Sequence, residues 1–381
     1  MHKLLFSKTE ALAEDFINLL RDICNIESPT DCKAGVDKVL EYCLSYAEGE
    51  GYRTERLRHE ISGDAGIITM NPEAKGRAIV LSAHMDTVHP IGSFGYPAVR
   101  RDSENMYGPG VTDCKGGIAT ALLAMKALRE IGFTERPIKL FLQSDEENSS
   151  ATSGKKTVEQ MCECAKDAEG FINLEGCHKG KAVLERKGII RYEISVHGIA
   201  IHSARCAYGA SAVAEAAHKI IELEKMKDAE GLTCNCVIKH GGDAPNSVPE
   251  LCVFSADIRF ATNEELLFAR KKIEEICEKN YIEGCTTEAR EVSFRPSMPK
   301  SEKNYELLER MNKIFEKCSL TPLEPHFVNG GSDAAYITGA GIPCVDSLGP
   351  NGDFIHSRRE LVRLDSIAEA AKRVASVILY L

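Results

Sequence analysis

The sequence lacks the features that define several classes of protein. No long apolar run is present, and the first twenty residues are interrupted by Lys8, Glu10 and Glu14, so neither a membrane span nor a signal-peptide core is predicted. Basic residues are spread along the chain and the formal net charge is -10, which disfavours nucleic acid or an anionic membrane as the main partner. We therefore expect a cytoplasmic protein that acts on a small molecule or peptide.

The cysteines also lack the spacing of a structural zinc site. Fifteen are present, but the two close pairs, Cys162/Cys164 and Cys234/Cys236, have C-x-C rather than C-x-x-C spacing. Without a secretory signal, a disulfide framework is not expected either. The cysteines are predicted to be reduced thiols, and none is assigned a role.

The chain of 381 residues is longer than one ordinary domain. From about residue 8 to 185, helical periodicity alternates with short apolar runs, which is typical of an α/β fold with a mostly parallel sheet. Period-two strands such as "LCVFSADIRF" then indicate an antiparallel sheet with one solvated face. We predict a catalytic domain in two parts, 1–186 and 295–381, and an inserted smaller α+β domain, 187–294.

Polar side chains follow four of the predicted strands at the point where each apolar run ends. The carboxyl ends of strands in an open α/β sheet form its ligand crevice. Several carboxylates in one crevice repel one another unless a cation neutralises them, so this pattern favours a metal site. The residues are His84 and Asp86 after "IVLSA", Asp145, Glu146 and Glu147 after "IKLFLQS", Glu175 in "FINLE", and His356 in "CVDSLGPNGDFIH".

The glycine-rich turn "YGPGVTDCKGG" carries Asp113 directly into a predicted helix. It matches neither the G-x-G-x-x-G of a dinucleotide loop nor the G-K-[ST] of a P-loop. A doubly wound sheet could also belong to an NAD-dependent dehydrogenase, and the broken glycine spacing disfavours that function. The glycines instead allow a sharp turn that brings Asp113 into the crevice.

Imidazole and carboxylate donors without a thiolate suit Zn, Mn or Co, and a shared carboxylate is typical of two-metal hydrolases. Singly, each residue has an ordinary structural interpretation: a hydrogen-bonded histidine, solvated acids at Glu146 and Glu147, or a helix cap at Asp113. Those interpretations become improbable together, because all the residues fall at one sheet edge.

Nine segments of the chain carry a resemblance: "HMDTV", "YGPGVTDCKGG", "DEE", "VHGIAIHSA", "NSVPE", "SADIRF", "RPSMP", "GGSDAAYI" and "FIHSRRE". They resemble a known family of cocatalytic metallopeptidases, which includes bacterial glutamate carboxypeptidase, aminoacylase, acetylornithine deacetylase and succinyl-diaminopimelate desuccinylase. The last five segments look most like glutamate carboxypeptidase. The resemblance implies an α/β zinc-peptidase catalytic domain with an inserted ferredoxin-like lid and dimerisation domain.

The same resemblance implies a role for each residue of the crevice. Two divalent ions, zinc or alternatively Mn or Co, would share Asp113, with His84 and Glu175 on one ion and Glu147 and His356 on the other. Two further acids would act without binding metal directly. Asp86 would orient His84, and Glu146 would be the general base.

For the inserted domain, the resemblance implies substrate contacts and a homodimer. His202 would reach the partner subunit's site and stabilise the oxyanion. Taken alone, Arg259 is more typical of a surface strand residue; only the resemblance assigns it to substrate. The residues implied to hold the substrate carboxylate or oxyanion are Asn246, Arg259, Arg295, Gly330, Gly331 and Ser332.

The chain departs from the family pattern at a few positions. Cys114 follows Asp113 where relatives often carry Asp or Met, and Glu175 is followed by glycine rather than proline. The segment "DEENSS" lacks the glycine often found soon after the acids. His89 lies beyond its strand and is predicted to be a loop residue without a partner in the site.

We therefore predict a metal-dependent hydrolase that cleaves an amide or peptide bond, as an exopeptidase releasing an amino acid with a free carboxylate. An N-acyl amino acid deacylase or a dipeptidase of the same family is the nearest alternative. A binding protein that kept the fold but lost catalysis is the alternative of another class.

Overall fold

The computed structural model describes residues 1–228 and 231–381. Its helices are α1 (His2–Asn25), α2 (Lys33–Gly49), α3 (Lys115–Glu130), α4 (Lys156–Ala165), α5 (Ala212–Glu224), α6 (Asn263–Glu278), α7 (Glu302–Lys317), α8 (Ala334–Gly339) and α9 (Leu364–Tyr380). Its strands are β1 (Arg53–Leu57), β2 (Ala65–Met70), β3 (Ile79–His84), β4 (Arg100–Arg101), β5 (Asn105–Tyr107), β6 (Ile138–Gln143), β7 (Gly170–Asn173), β8 (Lys181–Arg186), β9 (Gly188–His197), β10 (Thr233–His240), β11 (Leu251–Phe260), β12 (Thr286–Arg295), β13 (Glu324–Val328), β14 (Cys344–Val345), β15 (Gly352–Asp353) and β16 (Leu361–Arg363).

The chain divides into two compact units. The first unit comprises 1–185, 300–327 and 332–381, and the second unit comprises 186–299 and 328–331. The predicted insertion, 187–294, lies within the second unit.

A mainly parallel sheet forms the centre of the first unit. Among the described residues its strand order is β1-β2-β6-β3-β7-β14, with β6, β3, β7 and β14 parallel and β1 and β2 antiparallel at one edge. All residues of β3 are buried, as expected for a strand covered by helices on both faces. The predicted α/β class with a mostly parallel sheet is confirmed.

Helices α1, α3 and α9 pack together on this sheet. The first turn of helix α3 contains two glycines, because this turn lies against other backbone. A Cβ on Gly116 would lie 2.4 Å from the Val111 carbonyl oxygen, and one on Gly117 would lie 2.3 Å from the Leu174 oxygen. The glycines thus bring the helix start, and Asp113 before it, close to the end of β7.

The second unit has the element order β9-α5-β10-β11-α6-β12, the β-α-β-β-α-β order of a ferredoxin-like unit. Its antiparallel sheet has the order β10-β11-β9-β12. Burial alternates along β11, in agreement with the period-two pattern of its sequence. Helix α6 begins with a capping box formed by Thr262 and Glu265.

Two features of the first unit differ from the sequence-based expectations. Helix α1 begins at His2, before residue 8, where the predicted α/β pattern starts, and strands β1 and β2 were not predicted. The charged sequence "RTERL" of β1 resembles a loop, yet charges are common on edge strands, where they oppose unwanted pairing.

The structure also bears on the cysteines and on membrane insertion. Within the described part of the chain, all fifteen cysteines are free of disulfide bonds. None of the helices found there has the length and apolar composition that crossing a bilayer requires.

Candidate metal centre and active site

The strand ends of the first unit bring the predicted polar residues together. His84 is the last residue of β3, Glu146 and Glu147 form a short 3-10 turn after β6, and Glu175 follows β7. Because β6, β3 and β7 are parallel neighbours, their carboxyl ends share one edge of the sheet.

Asp113 lies between the two histidines of the site. Its Oδ1 is 3.0 Å from Nε2 of His84, and its Oδ2 is 3.1 Å from Nε2 of His356. Each carboxylate oxygen thus faces a different imidazole. This is the arrangement in which one carboxylate can bridge two metal ions.

One further carboxylate flanks each histidine. Glu147 Oε2 is 3.3 Å from His356 Nε2, and Glu175 Oε1 is 3.7 Å from His84 Nε2. Within the described residues, potential ligand atoms of His84, Asp113 and Glu147 lie within 4.8 Å of one another. The carboxylates are largely buried, with 12% of the Asp113 side chain exposed, 7% of Glu147 and 13% of Glu175.

The carboxyl groups strongly perturb one another. Burial acts to raise the pKa of Asp113, but hydrogen bonds with His356 and His84 outweigh it and hold the pKa well below its usual range. Burial and the charge of Asp113 raise the pKa of Glu147 to about 8. Burial also raises the pKa of Glu175 well above its usual value, and the charge of Asp113 adds to the effect.

The same acids also raise the pKa of His356. Hydrogen bonds to Asp113 and then to Glu147 raise the pKa of its imidazole to about 10. These shifts arise because negative charges are crowded together in the site. A divalent cation bound to the same oxygen and nitrogen atoms would neutralise those charges, so the donor set fits a metal.

Asp86 is fully buried and supports several of these residues. Its Oδ1 lies 3.3 Å from His84 Nδ1, whose closer partner, at 2.9 Å, is the Asp86 backbone oxygen. Its carboxylate also accepts the backbone N–H groups of Glu146 and Glu147 and the hydroxyl of Thr30. Asp86 thus fixes both the ring of His84 and the turn that carries the adjacent acids.

Glu146 is buried beside Glu147, with 6% of its surface exposed. Its negative charge contributes to the raised pKa values of both Glu147 and Glu175. The Glu146 carboxylate therefore lies near both halves of the site.

Cys114, which follows Asp113 where relatives often carry Asp or Met, is buried beside the site. Its thiol donates a hydrogen bond to the Leu174 carbonyl oxygen over 3.1 Å. Its sulfur also lies within 4.8 Å of ligand atoms of His84 and Glu175. Burial raises the pKa of this thiol well above its usual value, which disfavours the thiolate form.

The remaining predicted residues, Ser332 excepted, belong to the second unit. There His202 is exposed, and its Nδ1 accepts the N–H of Ala204 over 3.1 Å. Asn246 lies nearby, because its carbonyl oxygen accepts the N–H of Ser203. In the neutral ring, an accepting Nδ1 leaves the proton on Nε2, so His202 presents a hydrogen-bond donor.

Two arginines of the second unit have different surroundings. Arg259 donates to both oxygens of Asp257, at 2.6 Å and 3.3 Å, along its own strand. Arg295, at the end of β12, is 4% exposed, and a Cβ on Gly331 would lie 3.0 Å from its Cδ. The Gly330 carbonyl oxygen accepts a hydrogen bond from Arg186.

Ser332 belongs to the first unit, where its hydroxyl accepts the side-chain amide of Asn173 over 3.0 Å. Ser332 and Asn173 are both buried. This bond attaches Ser332 to the end of β7, two residues before Glu175.

Two residues near the site have surroundings that the sequence did not reveal. His89 is a loop residue, as predicted, and its partner is none of the predicted site residues: its ring is buried, and its Nε2 lies 2.9 Å from Glu360 Oε2. Glu360 was not predicted at all. It stands in the charged run "SRRE", where nothing distinguishes it from a solvated acid.

The parallel α/β fold and this donor set are those of a metal-dependent hydrolase. The family model of peptidase family M20/M25/M40 matches residues 80–380, and the chain belongs to that family. Members of this family hydrolyse peptide or amide bonds with the aid of metal ions. The resemblance inferred from the nine segments is confirmed, and the protein is a hydrolase of amide or peptide bonds.

Individual relatives cover nearly the whole chain. Carboxypeptidase G2 from Pseudomonas sp. is 27% identical over 95% of this chain and 88% of its own length. A succinyl-diaminopimelate desuccinylase from Corynebacterium glutamicum is 23% identical over 94% of this chain and 95% of its own. The crystal structure of a tripeptidase from Staphylococcus aureus shares the fold, with a TM-score of 0.78 at 20% identity, and covers 96% of this chain and 97% of its own.

Proposed function

We propose that this protein is a dinuclear metal-dependent exopeptidase that acts like a carboxypeptidase. The observation that carries the proposal is the position of Asp113 between His84 and His356. One ion would be held by His84 and Glu175 and the other by Glu147 and His356, with Asp113 shared. Imidazole and carboxylate ligands suit zinc best, and Mn or Co could replace it.

Ions bound there would polarise the scissile carbonyl and acidify the attacking water. Glu146 would take a proton from that water and deliver it to the leaving amine. Its proximity to both Glu147 and Glu175, seen in the effect of its charge on their pKa values, supports this role. Asp86 would keep His84 and the Glu146 turn in place.

His202 would stabilise the oxyanion that forms on the substrate carbonyl. The hydrogen bond from Ala204 to Nδ1 supports this role, because it leaves Nε2 as the donor. A single donor of this kind typically contributes about 3 kcal/mol to the transition state. We propose that the donor acts on the site of a partner subunit.

The free carboxylate of the substrate would be bound by the two arginines. The guanidinium fork matches both oxygens of a carboxylate. Burial of Arg295 beside Gly331 supports a fixed position for its fork. Asn246 and the turn from Gly330 to Ser332 would complete the contacts made by Arg259 and Arg295.

We also propose that the second unit is a lid through which two copies form a homodimer. Strand β10 is an edge of its sheet, and Val237 and Ile238 on that strand are each 53% exposed. An exposed apolar edge strand favours pairing with another strand. Fifteen free cysteines support a reducing compartment, the cytoplasm, as the location.

The test is hydrolysis of a panel of acyl-glutamates, N-acetyl and N-succinyl amino acids, and dipeptides, with Zn, Mn and Co supplied separately. A carboxypeptidase is expected to lose activity when the substrate's C-terminal carboxylate is amidated. Equal cleavage of the amidated and free forms would contradict the proposal. Activity confined to N-acetyl or N-succinyl amino acids would instead identify a deacylase, which the likeness to a desuccinylase favours as the second candidate.

A third outcome concerns catalysis itself. A protein that retains no divalent ion after reconstitution, and cleaves nothing in the panel, would be a silent binding protein on this fold. The complete donor set around Asp113 argues against that outcome.

A further inference from the structure

Glu360 is a buried carboxylate beside the metal centre, with 1% of its surface exposed. We propose that it is a positioning residue that holds three of the ligand-bearing segments in register. This inference rests on the proposed dinuclear site, because it concerns how the protein prepares that site for metal.

The first segment is the loop that ends in Asp113. Glu360 Oε1 accepts the backbone N–H groups of Thr112 over 3.0 Å and Asp113 over 3.1 Å, and Oε2 accepts that of Gly110 over 3.2 Å. The Glu360 backbone oxygen accepts a fourth N–H, from Gly108. Backbone N–H groups gathered in a turn form a concave anion site, and here the anion is a side chain of the same protein.

The second segment follows His84. His89, five residues further along, directs its Nε2 at Glu360 Oε2 over 2.9 Å, and both side chains are buried. The ring of His89 packs edge-on against Phe94, with ring centroids 4.9 Å apart. The end of β3 is therefore attached to the same carboxylate as the Asp113 loop.

The third segment carries His356 and Glu360 itself. The Glu360 N–H donates to the Ser357 carbonyl oxygen over 3.0 Å, which closes a turn directly after His356. Beyond Glu360, Leu361 accepts the Thr112 hydroxyl over 2.7 Å and pairs with Tyr107 between β16 and β5. The His356 loop and the Asp113 loop are thus joined at several consecutive residues.

One carboxylate thereby connects the segments of His84, Asp113 and His356, which would supply ligands to both ions. These segments are far apart in the chain, since Thr112 precedes Glu360 by 248 residues. A buried carboxylate is costly unless its oxygens are hydrogen-bonded, and here each oxygen accepts two N–H groups. Its loss would leave those donors buried and the ligand segments free to separate.

Glu360→Gln is the informative substitution, because it keeps the size of the side chain. A glutamine has one acceptor oxygen, and its NH2 group would face backbone N–H groups that also donate. Residues that orient metal ligands typically contribute about 10-fold to 100-fold to metal affinity. We expect Glu360→Gln to weaken binding of at least one ion by that factor.

The experiment uses the full-length, cobalt-loaded protein. A competing chelator is titrated in while the visible Co(II) absorption is followed, and kcat and KM are measured on the same samples. In Glu360→Gln we expect weaker cobalt retention, an altered Co(II) spectrum and a lower kcat with KM little changed. His89→Ala, which removes one of the four donors, should weaken retention less.

Asp64→Asn is the matched control. Asp64 is also a buried carboxylate of the first unit; it accepts the N–H of His59 and forms ion pairs with Lys33 and Arg56. It lies outside the ligand segments, so its loss should lower the melting temperature and leave cobalt affinity and spectrum unchanged.

The inference is overturned if the affinity of Glu360→Gln for both ions is within about twofold of the wild-type affinity, because the expected loss is about 10-fold or more. If Glu360→Gln does not fold, His89→Ala is the variant that tests the inference. Unchanged cobalt retention in His89→Ala would overturn the inference, and weakened retention would support it. Failure of the wild-type protein to bind two ions would instead contradict the proposed function.

Discussion

Replacement of Glu146 by glutamine tests whether Glu146 is the general base while its neighbour Glu147 is a metal ligand. The substitution preserves side-chain size and the Glu146 backbone N–H, which donates to Asp86 over 3.1 Å. It removes the carboxylate that would move the proton. The predicted ligands, among them Glu147, are untouched, so the metal content should not change.

The expected loss is large and specific to kcat. General acid–base groups contribute about 10²-fold to 10⁴-fold, which corresponds to about 3–5 kcal/mol of transition-state stabilisation. KM should change little, because substrate contacts are assigned to other residues. Steady-state kinetics on the best substrate of the panel, with elemental analysis of the same sample, measures both quantities.

Glu163→Gln provides a matched control, since Glu163 lies on α4 and its side chain is 76% exposed. It should keep both kcat and metal content. Ordinary turnover in a fully metal-loaded Glu146→Gln protein would refute the assigned mechanism. Loss of metal together with activity would show that Glu146 is a ligand instead.

Three other substitutions test separate parts of the account. His202→Ala should lower kcat by about 10²-fold to 10³-fold. Mixing this variant with Glu146→Gln should restore about a quarter of wild-type activity, because half of the randomly exchanged dimers are mixed and each mixed dimer has one intact site. If mixing restores no activity, His202 does not act in the partner's site. Burial acts to raise the pKa of Asp64, but bonds from the His59 N–H, Lys33 and Arg56 outweigh it and hold the pKa at about 2, below its ordinary value. The ionised carboxylate therefore stabilises the folded protein by about 2 kcal/mol above about pH 4, and this contribution is lost as the pH falls through 2. Urea unfolding of Asp64→Asn across this range should lack that loss. Gly117→Ala should destabilise the protein by about 1–3 kcal/mol, measured by thermal unfolding, because its Cβ would lie 2.3 Å from a backbone oxygen.

The residues at the strand ends could be predicted because two rules coincide there. Strands buried on both faces are continuous apolar runs, so a histidine or acid at the end of a run is conspicuous. Parallel strands also share one edge for their carboxyl ends, so His84 and Glu175 could be placed together although 91 positions separate them. The structure brings them to 3.7 Å.

Glu360 and His89 could not be predicted in the same way. The partners of Glu360 are mainly backbone N–H groups, which every residue except proline possesses, so no residue pattern marks them. His89 was predicted to be a loop residue because it lies beyond the end of β3. Its partner, Glu360, belongs to a segment near the other end of the chain. Strand β1 was missed for a related reason. Backbone hydrogen bonds to β2 form this strand, and its mostly charged side chains give no apolar pattern that would predict it.

The central claim is that Asp113 bridges two metal ions. Crystals of the metal-loaded protein, measured on both sides of the metal absorption edge, test it most directly. We predict two anomalous peaks about 3.5–4 Å apart, one beside His84 and Glu175 and the other beside Glu147 and His356, with an oxygen of Asp113 on each. A single peak, or two peaks that do not share Asp113, would contradict the account.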